Sequence, residues 1–202
     1  MIAVIDYGMG NLRSVTKAFE KLGADVEVVS SPKQLALADK VVLPGVGAFA
    51  DTMEGIRKRG LEGTVREFIS SGKPYLGICM GYQILFGESE EGGDHKGLGI
   101  LKGRVKRFKP KKGLKVPHMG WNRVSFKKKE CPLFKGIADD SYFYFVHSYY
   151  ADPNEKNVVA GATGYGTEFA SMVWRDNLYA VQFHPEKSQE IGLKMLKNFI
   201  EL

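Results

Sequence analysis

Cys79 lies in the run Gly77-Ile78-Cys79-Met80-Gly81, where the apolar stretch 73–79 ends and helical spacing begins. A cysteine at a strand-to-helix corner is placed to attack an electrophile. Such a corner needs glycines on both sides, because it holds the nucleophile in a crowded backbone conformation and side chains at Gly77 and Gly81 would block the turn. Taken alone, Cys79 reads equally well as a small buried hydrophobe. Far downstream, Tyr179-Ala-Val-Gln-Phe-His184-Pro-Glu186 ends a second apolar run in a histidine, with a carboxylate two residues later. A neighbouring base can take the thiol proton, and a helix N-terminus stabilises the thiolate. Glu186 can accept a hydrogen bond from the second imidazole nitrogen, which fixes the tautomer and favours the imidazolium formed during attack. Without the elbow, His184 and Glu186 would read as a strand ending in a solvated loop; with it, the three residues predict thiol-based nucleophilic catalysis.

Such a triad needs a scaffold that joins two distant strand ends. The first half of the chain alternates short β-rich runs (2–6, 26–30, 41–43) with helical ones. Segment 11–22 carries Val15, Ala18, Phe19 and Leu22 at helical spacing, and Phe49–Lys58 and Leu61–Ser70 give two further helices before the strand to Cys79 and a helix over 80–86. This alternation predicts a parallel α/β sheet. After Gly97 the pattern changes to β segments joined by turns (98–108, 115–126, 142–148, 158–163, 169–174, 178–183), expected to add antiparallel strands to the sheet. A last helix, 188–202, has Ile191, Met195, Leu196, Phe199 and Ile200 on one face. With no repeat or linker, residues 1–202 read as one domain.

Ligands of open α/β sheets gather where strands end and helices begin, and three glycine-rich corners fall there. Tyr7-Gly-Met-Gly10-Asn11 resembles a phosphate loop but has no third glycine, so a tight turn is the better reading. Pro44-Gly-Val46-Gly47 suits an oxyanion hole, since glycines let backbone N–H groups turn towards a substrate oxygen. The N–H of Met80, directly after the cysteine, is a further donor. The freedom at Gly45 and Gly47 also allows a peptide to rotate, so that one N–H points away from substrate until a partner has bound its own ligand.

The chain has 202 residues, 44% of them hydrophobic, enough for a normal core. No apolar run approaches the roughly 20 residues that span a bilayer, and Met1 leads straight into Ile2-Ala-Val-Ile5, so a cytoplasmic protein is expected. Two cysteines, with Cys131 in a polar turn beside Pro132, make neither a disulfide framework nor a zinc site. The formal charge of +6 comes largely from the segment between Lys102 and Lys129, including Lys111 and Lys112. These cations alternate with Val105, Phe108, Val116, Val124 and Phe126, the pattern of solvated strand faces rather than of a nucleic-acid site; an acidic protein partner is the second possibility.

With Gly77-x-Cys79-x-Gly81, Gln83 and His184-Pro-Glu186 assembled, the chain resembles the class I glutamine amidotransferases over essentially its whole length. Ile5-Asp-Tyr-Gly-Met-Gly-Asn-Leu12, Pro44-Gly-Val-Gly-Ala-Phe49, Pro117-His-Met-Gly-Trp-Asn122, Tyr144-Phe-Val-His-Ser-Tyr149 and His184-Pro-Glu-Lys-Ser188 narrow the resemblance within that family. Tyr82 departs from it, standing where many members have histidine. The resemblance implies a three-layer sandwich with a mostly parallel central sheet. It implies that Cys79 attacks the side-chain amide of glutamine, that His184 protonates the departing ammonia, and that Glu186 orients His184. It places Val46, Gly47 and Met80 at the oxyanion, and Gln83, Glu91, Ser148 and Tyr149 around the glutamine head, with Glu88 and Glu90 as alternatives to Glu91. It further implies a heterodimer with a separate (βα)₈ cyclase subunit that receives the ammonia, with Gly10, Asn11, Met119, Trp121 and Lys187 at the interface. No cofactor, metal, nucleic acid or membrane enters this reading. Two readings compete with it: a glutaminase subunit of another amidotransferase, separated by co-purification with a barrel cyclase, and a catalytically silent α/β module that binds a nucleotide or nucleic acid, separated by glutamate release from glutamine.

Overall fold

A computed structural model of the chain describes residues 1–109 and 113–202. Its first half runs β1 (Ile2–Ile5), α1 (Leu12–Lys21), β2 (Val26–Val29), α2 (Pro32–Ala36), β3 (Lys40–Leu43), α3 (Phe49–Lys58), α4 (Leu61–Ser70), β4 (Tyr75–Ile78) and α5 (Met80–Gln83). The second half runs β5 (Phe86–Ser89), β6 (His95–Lys96), β7 (Leu101–Arg107), β8 (His118–Phe126), β9 (Ser141–His147), β10 (Tyr149–Pro153), β11 (Val159–Gly164), β12 (Glu168–Arg175), β13 (Leu178–Val181) and α6 (Gln189–Ile200). β1 and β4 are buried along their whole length, as expected for parallel strands covered on both faces. In β1, Ile2 and Val4 pack with Val15 and Phe19 of α1 and with Leu196 and Phe199 of α6. Ala3 and Ile5 face the opposite core, with Leu35 of α2, Phe49 and Met53 of α3, and Val65 and Phe68 of α4. Helices thus cover both sides of the sheet. The short α2 has no usable periodicity, and its sequence signal is Ser31-Pro32: the Ser31 hydroxyl accepts from the Gln34 N–H at 3.4 Å.

Nine strands form the main sheet in the order β2-β1-β3-β4-β13-β12-β11-β8-β9. β2, β1, β3, β4 and β13 are mutually parallel, and the remaining four alternate in direction. The expectation that every strand after Gly97 is antiparallel is therefore corrected at β13. A hairpin through Asp176 and Asn177 reverses the chain after β12, and β13 then runs parallel to β4, with Leu178 opposite Tyr75 and Val181 opposite Ile78. The carboxyl ends of β1, β3, β4 and β13 consequently lie along one edge of the sheet. Both strand ends that carry the candidate triad are neighbours on it.

Two further expectations change. The helix after Cys79 is a single turn ending at Gln83, not at Phe86, because the Ile84 and Leu85 carbonyls accept from Leu98, Ile100 and Leu101 N–H groups and Phe86 opens β5. Segment 98–108 does not join the main sheet: β7 lies in a second sheet, ordered β10-β7-β5-β6, whose Phe86, Leu101, Val105 and Ala151 complete the core beneath α3 and α4. The basic strands read as solvated faces. Arg104 pairs with Glu88 at 3.3 Å, Lys106 with Asp152 at 2.6 Å and Lys127 with Glu168 at 3.2 Å, while Lys111 and Lys112 lie outside the described residues. Among the described residues no helix is long and apolar enough to cross a membrane.

Candidate active site

Cys79 occupies the corner between β4 and α5 with φ 54° and ψ −101°, a left-handed conformation that few non-glycine residues adopt. The corner is tight enough to explain its flanks. A Cβ at Gly81 would stand 1.8 Å from the Leu43 carbonyl oxygen, and one at Gly77 would stand 2.4 Å from the Gly81 oxygen. Neither position tolerates a side chain. The Cys79 N–H donates to the Val181 carbonyl at 2.8 Å, tying the elbow to the end of β13.

His184 follows β13 and is fixed from two sides. Its N–H donates to the Tyr144 carbonyl at 2.9 Å, and its own carbonyl accepts from the Ser188 hydroxyl at 2.6 Å. Pro185–Lys187 forms a 3₁₀ turn that swings Glu186 back, so that the Glu186 carboxylate accepts from His184 Nδ1 at 2.8 Å with both side chains almost fully buried. With Nδ1 so engaged, Nε2 is left buried and without a hydrogen-bond partner. Burial works against charging this ring and is the largest single influence on it. Negative charge at Cys79 and Glu186 outweighs that influence, and the imidazole pKa is raised to about 10.

A cavity of about 310 Å³ opens in front of Cys79, lined by Val46, Gly47, Met80, Gln83, Glu91 and the 146–149 segment among others. Every substrate and oxyanion residue expected from the sequence therefore borders one space. Glu91 is singled out from its neighbours: it accepts from the Phe49 N–H at 2.8 Å beside the cavity, and burial pushes its carboxyl pKa up. Glu88 instead pairs with Arg104, and Glu90 with the Arg107 N–H. Gln83 borders the cavity but is only 2% exposed, and its Oε1 is buried without a hydrogen-bond partner. The carbonyls of Ser148 and Tyr149 are already used, by the Phe108 N–H and by Gln83 Nε2 respectively. At the oxyanion position, Gly47 has φ 106°, and the Met80 N–H donates, at a long 3.4 Å, to the Gly45 carbonyl. Tyr82, in place of the family histidine, is buried and donates its hydroxyl to the Ala170 carbonyl at 2.9 Å.

Gly10 and Asn11 sit at the start of α1, and a Cβ at Gly10 would lie 3.8 Å from Gly45 Cα, so the first two glycine corners abut. Met119 and Trp121 point out from β8 with 66% and 46% exposure, and Lys187 is exposed beside the triad. Cys131 is not in a polar turn: it is 2% exposed among Phe126, Leu133 and Phe134, and burial pushes its thiol pKa up to about 12. Two residues that border the nucleophile were missed from sequence. His147 lines the cavity, and Gln182 donates towards Cys79 Sγ at 3.8 Å. Their signal was a buried polar side chain closing an apolar run, at the end of β9 for His147 and just after β13 for Gln182, since such a group must find a partner.

Comparison with known proteins agrees with this geometry. Residues 3–202 match the family model described as glutamine amidotransferase class-I. The chain is 52% identical over 204 residues to the imidazole glycerol phosphate synthase subunit HisH of Syntrophotalea carbinolica, covering 98% of each. It is 55% identical over 201 residues to the protein of the same name from Moorella thermoacetica, covering all of this chain and 94% of the relative. Among solved structures, PurLQS from Thermotoga maritima superposes with a TM-score of 0.79 at 19% identity, over 99% of this chain and 97% of the other. That likeness speaks to the fold, and the match of sequence over nearly the full length settles the family: the chain belongs to the class I glutamine amidotransferases.

Proposed function

We propose that this protein is the glutaminase subunit of an imidazole glycerol phosphate synthase, a cytoplasmic enzyme of histidine biosynthesis. The observation that carries the proposal is the strained Cys79 elbow backed by the His184–Glu186 pair, opening on a cavity bordered by Gln83 and Glu91. In the reaction, Cys79 Sγ attacks the δ-carbonyl carbon of glutamine. The oxyanion forms against the N–H of Met80 and those of the Val46–Gly47 loop, and His184 Nε2 passes its proton to the departing ammonia. Water, deprotonated by the same nitrogen, then cleaves the thioester to give glutamate and the free thiol. Glu91 and Gln83 supply the negative and acceptor groups that an α-ammonium needs.

Ammonia released into neutral water is protonated and no longer nucleophilic, so a glutaminase of this kind works against a second active site. We place that site on a (βα)₈ cyclase subunit that takes up a phosphorylated aminoimidazole ribonucleotide and closes the imidazole ring; that the relatives are named as subunits of a synthase supports a partner subunit. Gly10, Asn11, Met119, Trp121 and Lys187 form the face proposed to meet it. The test is glutamate release from glutamine by the chain alone, with the cyclase, and with cyclase plus ribonucleotide. Release that rises on forming the complex is expected; no release under any of the three conditions would overturn the proposal.

A further inference from the structure

A chain of buried amides runs behind Cys79. Gln83 Nε2 donates to the Tyr149 carbonyl at 3.0 Å and to Gln182 Oε1 at 2.9 Å. The Tyr149 carbonyl is an acceptor only, and it also accepts from His147 Nδ1 at 2.7 Å. The atom of Gln83 that faces it must therefore be nitrogen. Since that nitrogen also faces Gln182, Gln182 must present its oxygen there. Both amide orientations are then fixed, and the Gln182 Nε2 is left directed at Cys79 Sγ, 3.8 Å away. Gln182 has no exposure, and its backbone N–H is held by the Ser171 carbonyl at 2.9 Å, so the side chain has little freedom to turn elsewhere.

We infer that Gln182 is a positioning residue for the nucleophile: its amide N–H donates to Cys79 Sγ and favours the thiolate over the thiol. A hydrogen bond donated to the charged form of an acid stabilises that form, and bonds to ions are the stronger ones. Gln83 thereby fixes which end of Gln182 meets the sulfur. The inference rests on the reading of Cys79 as the nucleophile.

The experiment is the pH dependence of iodoacetamide alkylation, followed by intact mass on the full chain in a Cys131→Ala background, where Cys79 is the remaining one of the two cysteines. Gln182→Glu keeps an oxygen for Gln83 and replaces the N–H facing sulfur with a second oxygen. Its carboxylate would also repel a thiolate directly, so the uncharged Gln182→Met is the deciding variant, and a residue that served only to hold Gln83 would leave Gln182→Met with the wild-type profile. The expected result is alkylation about tenfold slower at pH 7, with the profile moved to higher pH, because a bond to a charged group is lost. Gln182→Met packs readily in a core and removes the N–H without adding charge, so the same slowing and shift are expected in it, and Gln182→Glu serves as the charged comparison. A reactive Cys79 whose profile is unchanged in the folded variants would overturn the role of Gln182 alone. If Cys79 reacts no faster than a free thiol before any change at Gln182, the nucleophile assignment fails and this inference with it.

Discussion

Cys79 shows how a single position combines backbone strain and chemistry. Holding a non-glycine residue in its conformation costs on the order of 1–3 kcal/mol, and Gly77, Gly81 and the bond to Val181 hold it there. The neighbouring charge can be read directly. Nuclear magnetic resonance of the His184 ring should show it protonated well above its ordinary range, and Cys79→Ala should lower the midpoint, because burial then acts with only Glu186 opposing it. An identical midpoint in the two proteins would mean that Cys79 does not charge the ring. Cys131 provides the contrast. Buried and far from any elbow, it contributes packing, so Cys131→Ala should leave glutamine turnover intact while destabilising the fold by about 1 kcal/mol in a thermal melt; a loss of turnover in the folded variant would contradict that division of roles.

At the scale of elements, the loop between β3 and α3 is where the sequence-based expectation needs refinement. Positive φ is present at Gly47 but not at Gly45, whose Cβ would instead meet the Tyr7 hydroxyl at 2.5 Å and Met80 Cβ at 2.6 Å. Substituting Gly45 therefore disturbs packing and cannot report on a rotating peptide. Gly47→Val can, because β-branched residues tolerate positive φ poorly. With the Met80 N–H held by the Gly45 carbonyl, a proposed oxyanion donor is engaged elsewhere, and a missing donor costs roughly a hundred- to a thousandfold in turnover. Gly47→Val should blunt stimulation by the ribonucleotide-loaded cyclase more than it weakens glutamine binding; full stimulation in the folded variant would leave the loop as a simple turn. On β8, alternation places Met119 and Trp121 outward while His118 turns into the core. Trp121→Ala should weaken cyclase affinity by about thirtyfold in a calorimetric titration, the size of an interface hot spot, and unchanged affinity would move the interface elsewhere.

For the molecule as a whole, Cys79 and His184 follow neighbouring strand ends because β13 is parallel to β4. That orientation was not legible from the strands themselves: residues 178–183 show an apolar run, and periodicity carries no direction. The elbow and the α1, α3 and α4 helices were legible, since each is set by local steric or periodic rules. The second sheet was not, because pairing of Phe86 with Leu101 is a choice made by the tertiary core.

Acid stability depends on a pair of imidazoles in that core. His118 Nδ1 meets His147 Nε2 at 2.9 Å, and burial lowers their pKa values to about 4 and about 3. Because the folded values lie below the ordinary 6.5, the unfolded chain binds more protons in between. Their contribution is intact above pH 6.5 and is lost as pH falls towards 4 and then 3. Melting temperature should therefore fall more steeply from pH 7 to 5 in the native chain than in His118→Phe, and equal slopes would remove the pair as the cause.

The central claim, that Cys79 generates ammonia for a second site, is tested most directly in the reconstituted complex carrying Cys79→Ala, by comparing imidazole product formed from glutamine with that formed from added ammonium at raised pH. Loss of glutamine-dependent product with ammonium-dependent product retained is the expected result. Product still formed from glutamine at the native rate would contradict the claim.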